Sequence, residues 1–155
     1  MTVEQVLDKE FLLMQDDLIK KYDELGMRSS GKWADGLETI TKPLNSKIIG
    51  EQYTNQLESG RRSGGFPPAE AIKKWIVDKG IVNNIKGNIS VSSLAFLIAR
   101  KIAREGWKRE KYGGVDLVSL VVTDQRIQSI LNKIGEAATV SFIEKIENEF
   151  KTIKA

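Results

Sequence analysis

Residues 58–68 read Glu58-Ser59-Gly60-Arg61-Arg62-Ser63-Gly64-Gly65-Phe66-Pro67-Pro68. An acid follows an extended run, glycines turn the chain beside two arginines, and a proline pair leads into a helix. No other segment is so sharply punctuated. Pro68 suits the first helical position, where its missing N–H costs nothing, and Glu70 favours the positive end of the helix dipole. The stretch lacks the residue types of an active site. It reads as architecture: a stiff, exposed loop bolted to a helix.

Toward the C-terminus, Ile72, Trp75 and Ile76 mark the buried face of that helix and Gly80 ends it. Residues 81–89, IVNNIKGNI, form a loop. A second helix is predicted over Ser92 to Glu105, with Leu94, Leu97, Ile98 and Ile102 apolar, Ala95, Ala99 and Ala103 small, and Gly106 as its stop. Trp75, Leu97, Ile98 and Ile102 are assigned to the core. Residues 107–116, WKREKYGGVD, form a basic and aromatic loop, and β-branched Leu117 to Val122 reads as a short buried strand. From Thr123 the helical period returns through Ile127, Leu131, Ile134, Ala138, Phe142, Ile146 and Phe150, with Gly135 a weak point.

Toward the N-terminus, Leu37–Lys42 and Ser46–Gln56 read as two strands of a hairpin turning through Pro43-Leu44-Asn45. Met27–Gly36 has no periodicity and reads as a loop or mobile arm. Before it, Val3, Leu7, Phe11, Met14, Leu18, Tyr22 and Leu25 form one stripe of a helix that Gly26 closes. The expected fold is α+β, one domain over residues 1–155. A short antiparallel sheet is packed by an N-terminal helix, two central helices and a long C-terminal helix.

Composition narrows the chemistry. The 155 residues include no cysteine and no histidine, which removes disulfides, thiolates, Cys/His zinc sites and imidazole acid–base catalysis. No cofactor is expected, and an enzyme would have to work through carboxylates, lysines, tyrosines or a carboxylate-bound metal. No apolar run approaches the roughly 18 residues that span a bilayer, and the first residues carry no secretory pattern. The net charge of +3 is unevenly spread: residues 28–135 hold 18 basic and 10 acidic side chains, between acidic flanks. Such a centre suits nucleic acid or an acidic protein surface, and equally a plain solvated surface.

Gly26-Met27-Arg28-Ser29-Ser30-Gly31-Lys32 matches a phosphate-binding loop in its glycines and lysine. Trp33 then stands where the magnesium-binding hydroxyl belongs, and the motif follows a helix instead of a strand. The acid clusters Asp16-Asp17, Asp23-Glu24 and Glu147/Glu149 read as solvated helix faces. The basic–aromatic segments remain: Arg61-Arg62 beside Phe66, and Arg100–Lys111 with six basic and two acidic residues around Trp107, followed by Tyr112. Arginines attract phosphates and rings stack bases, yet the same spacing makes an ordinary outer helix face. About a dozen residues separate the two central helices, too many for the short turn of a helix-turn-helix.

The succession Tyr53, Glu58-x-Gly60-Arg61, Gly64-Gly65-Phe66-Pro67-Pro68, Ile72-x-x-Trp75-Ile76, Gly80 and Leu94-Ala95-Phe96-Leu97-Ile98-Ala99-Arg100-Lys101-Ile102-Ala103-Arg104-Glu105-Gly106 resembles the small tail-completion or head–tail joining (neck) proteins of tailed bacteriophages. The likeness covers residues 35–150 and rests on structural punctuation. It implies a non-enzymatic virion protein, made in the host cytoplasm, that forms a homo-oligomeric ring. The ring would join the portal or connector to the tail tube or tail terminator protein, with DNA passing nonspecifically through its lumen and no membrane contact. Arg61, Arg62 and Phe66 are then the expected subunit or ring contact, with Trp107, Lys108, Arg109 and Tyr112 as a second. The rival readings are a nonspecific nucleic-acid-binding module and, more remotely, a carboxylate- or metal-dependent enzyme.

Overall fold

Helix α1 (Val3–Glu24) starts at a reciprocal cap, in which the Thr2 hydroxyl accepts from the Gln5 backbone N–H and the Gln5 side chain accepts from that of Thr2. A computed structural model describes residues 1–107 and 116–153 of the protein. Helix α1 runs along the first part of α7 (Asp124–Ile153), and the antiparallel hairpin of β1 (Glu38–Lys42) and β2 (Asn45–Ile49) lies beside α1. Between them come α2 (Lys32–Asp35), α3 (Thr54–Ser59), α4 (Ala69–Asp78), α5 (Val91–Glu105) and α6 (Leu117–Val121). The expected α+β architecture is present.

The apolar side chains collect in two separate clusters. The larger joins Met14, Leu18 and Tyr22 of α1 to Met27, Trp33, Leu117, Val121 and Ile130. The smaller joins Ile72 and Ile76 of α4 to Ala95 and Ala99 of α5. Methyl-sized residues let the α4 and α5 backbones come close, so the buried stripe of α5 is the alanine stripe. Trp75 and Leu97, expected inside, are therefore turned outward and are 40% and 47% exposed. Ile98 and Ile102 pack half-buried at the edge of the small cluster.

Four local expectations are corrected. Met27–Gly36 is no mobile arm: Gly31 adopts a left-handed conformation (φ 82°) that starts α2 and places Trp33, 1% exposed, in the core. The Trp33 ring lies 4.5 Å from that of Tyr22, and its indole N–H donates to Thr54 Oγ1 at 2.9 Å. The second strand stops at Ile49; Thr54 instead caps a turn, its Oγ1 donating to the Glu51 carbonyl at 2.6 Å, and α3 begins. Pro68 sits just before the first helical residue of α4, and the loop after Gly80 includes a 3₁₀ turn over Ile81–Asn84.

The fourth correction concerns Leu117–Val121, which is helical and not a strand. The decisive partner lies 60 residues away. One Glu58 carboxylate oxygen accepts the Val118 N–H at 2.6 Å, and the other accepts the Ser119 N–H at 3.2 Å and the Ser119 hydroxyl. The Glu58 carbonyl also accepts the Asp116 N–H at 2.9 Å. These bonds satisfy the open N–H groups of a first helical turn, which a strand would direct sideways. With the turn closed, Leu117 and Val121 fall four residues apart on one face and enter the large cluster.

Two outcomes are expected from equilibrium urea unfolding. Glu58→Ala removes a charged cap and costs about 1–3 kcal/mol, while Glu58→Asp, one methylene short, recovers only part of it. Trp33→Ala costs about 3–5 kcal/mol, and Thr54→Ala about 1 kcal/mol through the lost indole bond. A Trp33→Ala chain as stable as the parent would show that the large cluster does not depend on this ring.

Candidate contact site

The chain leaves the large cluster through residues 59–68, forms the α4–α5 pair, and starts back at Trp107. Outgoing and returning segments are stitched together. The Arg61 N–H donates to the Trp107 carbonyl at 2.7 Å, and the Trp107 N–H donates to the Arg61 carbonyl at 2.6 Å. The Gly64 N–H adds a bond to the Ala103 carbonyl at 2.8 Å, in the last turn of α5. The two segments that sequence reasoning singled out separately, around Arg61 and around Trp107, are thus one site.

Gly106 makes the crossing possible. It ends α5 at φ 74°, in the left-handed region, with its N–H donating to the Ile102 carbonyl at 2.8 Å. A Cβ there would lie 2.3 Å from the Arg61 carbonyl oxygen and 2.9 Å from the Ser63 nitrogen. Only a residue without a side chain lets the two backbones meet.

Within the outgoing loop, Arg61 is half-buried and its guanidinium donates to the Gly65 carbonyl at 3.1 Å, closing the loop on itself. Arg62 points to solvent. Phe66 stacks on Phe96 of α5 with ring centroids 6.2 Å apart and 21° between planes, and both rings stay more than half exposed. Sequence reasoning passed over Phe96; the only signal was a large aromatic beside Ala95, rotated off the buried stripe. Lys108, Arg109 and Tyr112 lie outside the described residues.

The surroundings are basic. Arg100, Lys101 and Arg104 of α5 form no ion pair among the described residues, and Glu105 is the one acid in that turn. Between α4 and α5 an open groove of about 740 Å³ is lined by Ile72, Trp75, Ile98, Ile102, Trp107 and Lys101. The glycine–lysine motif at 26–32 does something else. Arg28 grips Asp23 with two bonds of 2.6 and 3.2 Å, and this hydrogen-bonded pairing holds the Asp23 carboxyl below its ordinary range. Lys32 lies in the four-residue α2, 3.8 Å from Glu51. The motif is a chain reversal. Among the described residues, no three acidic side chains gather where they would hold a metal ion.

Opposite outcomes are expected at two helical glycines, read by thermal melting. Gly106→Ala forces the crossing apart and lowers Tm by several degrees, with a loss of at least about 2 kcal/mol. Gly135, mid-helix with open space around its Cα, gains about 0.5–1 kcal/mol on replacement by alanine. Comparison with family models, with curated proteins and with solved structures gives no match for this chain.

Proposed function

We propose that the protein is a structural virion subunit that forms a ring at the head–tail junction, or at the top of the tail, of a tailed phage. The ring joins portal or connector to the tail tube or tail terminator around the DNA channel, and works without catalysis. One observation carries the reading beyond the likeness of sequence punctuation: the chain leaves apolar surface uncovered in two different places. The first is the outer side of the α4–α5 pair, with Phe66, Trp75, Val77, Phe96 and Leu97. The second is the C-terminal half of α7, with Phe142, Ile143, Ile146, Phe150 and Ile153.

A ring built by rotation about one axis requires two unlike faces on each subunit, each the complement of the other. Large exposed apolar groups in such number are more than a monomer needs and mark association surfaces. The stitched loop at Arg61 and Trp107 fits a docking element because its backbone is fixed before any partner arrives, which lowers the ordering cost of binding. A moderate basic excess suits a lumen through which DNA slides, since tight phosphate binding would resist passage.

Negative-stain microscopy of concentrated protein, and immunolabelling of particles, test the proposal. The expected result is annular particles of one size and label at the neck. Protein that stays monomeric at every concentration and is missing from particles overturns it. Arg62→Ala is expected to leave Tm unchanged. Should that change instead abolish salt-sensitive retention on DNA while rings never form, the nucleic-acid-binding module is the better reading.

A further inference from the structure

Two ion pairs set the register of α1 against α7: Arg126 to Asp17 at 2.7 Å and Lys133 to Glu10 at 2.7 Å. Each step of seven residues along α7 is matched by seven backward along α1, as in an antiparallel pair. Val140 accordingly lies beside the start of α1, where it lines a shallow recess with Met1 and Val6. Residues 141–153 continue past the end of α1 as an overhang of about 20 Å.

The overhang is amphipathic in an unusual sense. On a helical wheel Phe142, Ile143, Ile146, Phe150 and Ile153 fall within an arc of about 100°, on the side away from Ile130 and Ala137, which are buried in the body. Phe150 is 62% and Ile153 78% exposed. Glu147 borders one edge of the stripe and Glu149 the other, and neither forms an ion pair among the described residues. The stripe is therefore apolar along its centre and acidic at both margins.

The α4–α5 groove has the opposite character. Isoleucines and two tryptophans line it, Lys101 stands in its lining, and Arg100 and Arg104 on the same helix are unpaired. An amphipathic helix laid into an apolar groove between two helices is a recurrent recognition mode, read through anchors spaced three and four residues apart. Ile143, Ile146, Phe150 and Ile153 have that spacing.

We infer that the C-terminal overhang of α7 from one copy seats in the α4–α5 groove of a second copy, with Glu147 and Glu149 facing the basic end of α5. Charge decides for this occupant: pairing one overhang with another brings glutamate margins together, whereas the groove offers unpaired cations. The contact is head-to-tail, because stripe and groove are different surfaces, and it leaves a free stripe and a free groove at the ends of any open chain. It deepens the ring reading and rests on that reading for closure.

The absence of native cysteine makes a clean test. Ala71→Cys, at the exposed lip of the groove, and Phe150→Cys are made as two separate single-cysteine proteins. Mixed under mild oxidation at high concentration, they are expected to give the mixed disulfide dimer. Sedimentation of an otherwise native Phe150→Glu chain is expected to show self-association weakened roughly 30-fold, with an unchanged circular dichroism spectrum. Phe150→Cys dimers with no mixed species mean that overhangs pair with each other, and overturn the inference. Parent protein that assembles while no mixed disulfide forms overturns the groove contact and leaves the ring standing. A parent chain that stays monomeric overturns the contact, and its absence from particles as well would remove the ring reading with it.

Discussion

The reciprocal backbone pair between Arg61 and Trp107 governs how the two halves of this protein are connected. The α4–α5 pair keeps its own small apolar cluster, and the large cluster is closed by α1, α2, α6 and α7. Two such cores joined by single strands would move independently. Two short amide bonds at the crossing, with the Gly64 bond beside them, replace that freedom with a fixed passage. Backbone bonds serve well here because they are insensitive to side-chain identity at Arg61 and Trp107. Their demand falls on Gly106, which must have no side chain.

The same economy appears at Glu58. One residue ends α3, and its carboxylate starts α6 while its carbonyl holds Asp116. The loop that begins there is consequently anchored at both ends: to α6 through Glu58 and to α5 through Arg61 and Gly64. A loop held this way pays little entropy when it meets a partner. Phe66 is presented from it already stacked on Phe96, as a broad apolar surface and not a single mobile ring.

The long helices were legible in the sequence because their apolar residues recur at helical spacing over many turns, and Gly26, Gly80 and Gly106 stop three of them where expected. The hairpin was legible in outline. What escaped reading depended on contacts between distant residues. Leu117–Val121 has the β-branched composition of a strand, and only the remote Glu58 carboxylate makes it helical. Trp33 stands in a stretch without periodicity, and its burial requires Tyr22 and Thr54 around it. Trp75 and Leu97 sit at helical spacing with true core residues, but spacing alone does not say which side of an amphipathic helix the alanines claim. The candidate site was half legible: composition marked both loops, yet nothing local revealed that Arg61 and Trp107 meet.

That alanine stripe also explains why association surfaces arise where they do. A helix pair buried through Ile72, Ile76, Ala95 and Ala99 is close-packed but narrow, so its larger side chains have no interior left to enter. Trp75, Phe96 and Leu97 remain outside as a consequence of the packing, not as leftovers of an unfinished core. On α7 the cause is length: α1 ends before α7 does, and the apolar period carries on beyond the last neighbour. A chain selected only to fold as a monomer would have turned polar at both places, because exposed apolar helix faces promote unwanted association and add nothing to the stability of an isolated subunit. Their retention on two dissimilar surfaces, one bordered by acids and the other by cations, is the pattern that repeated head-to-tail contact requires.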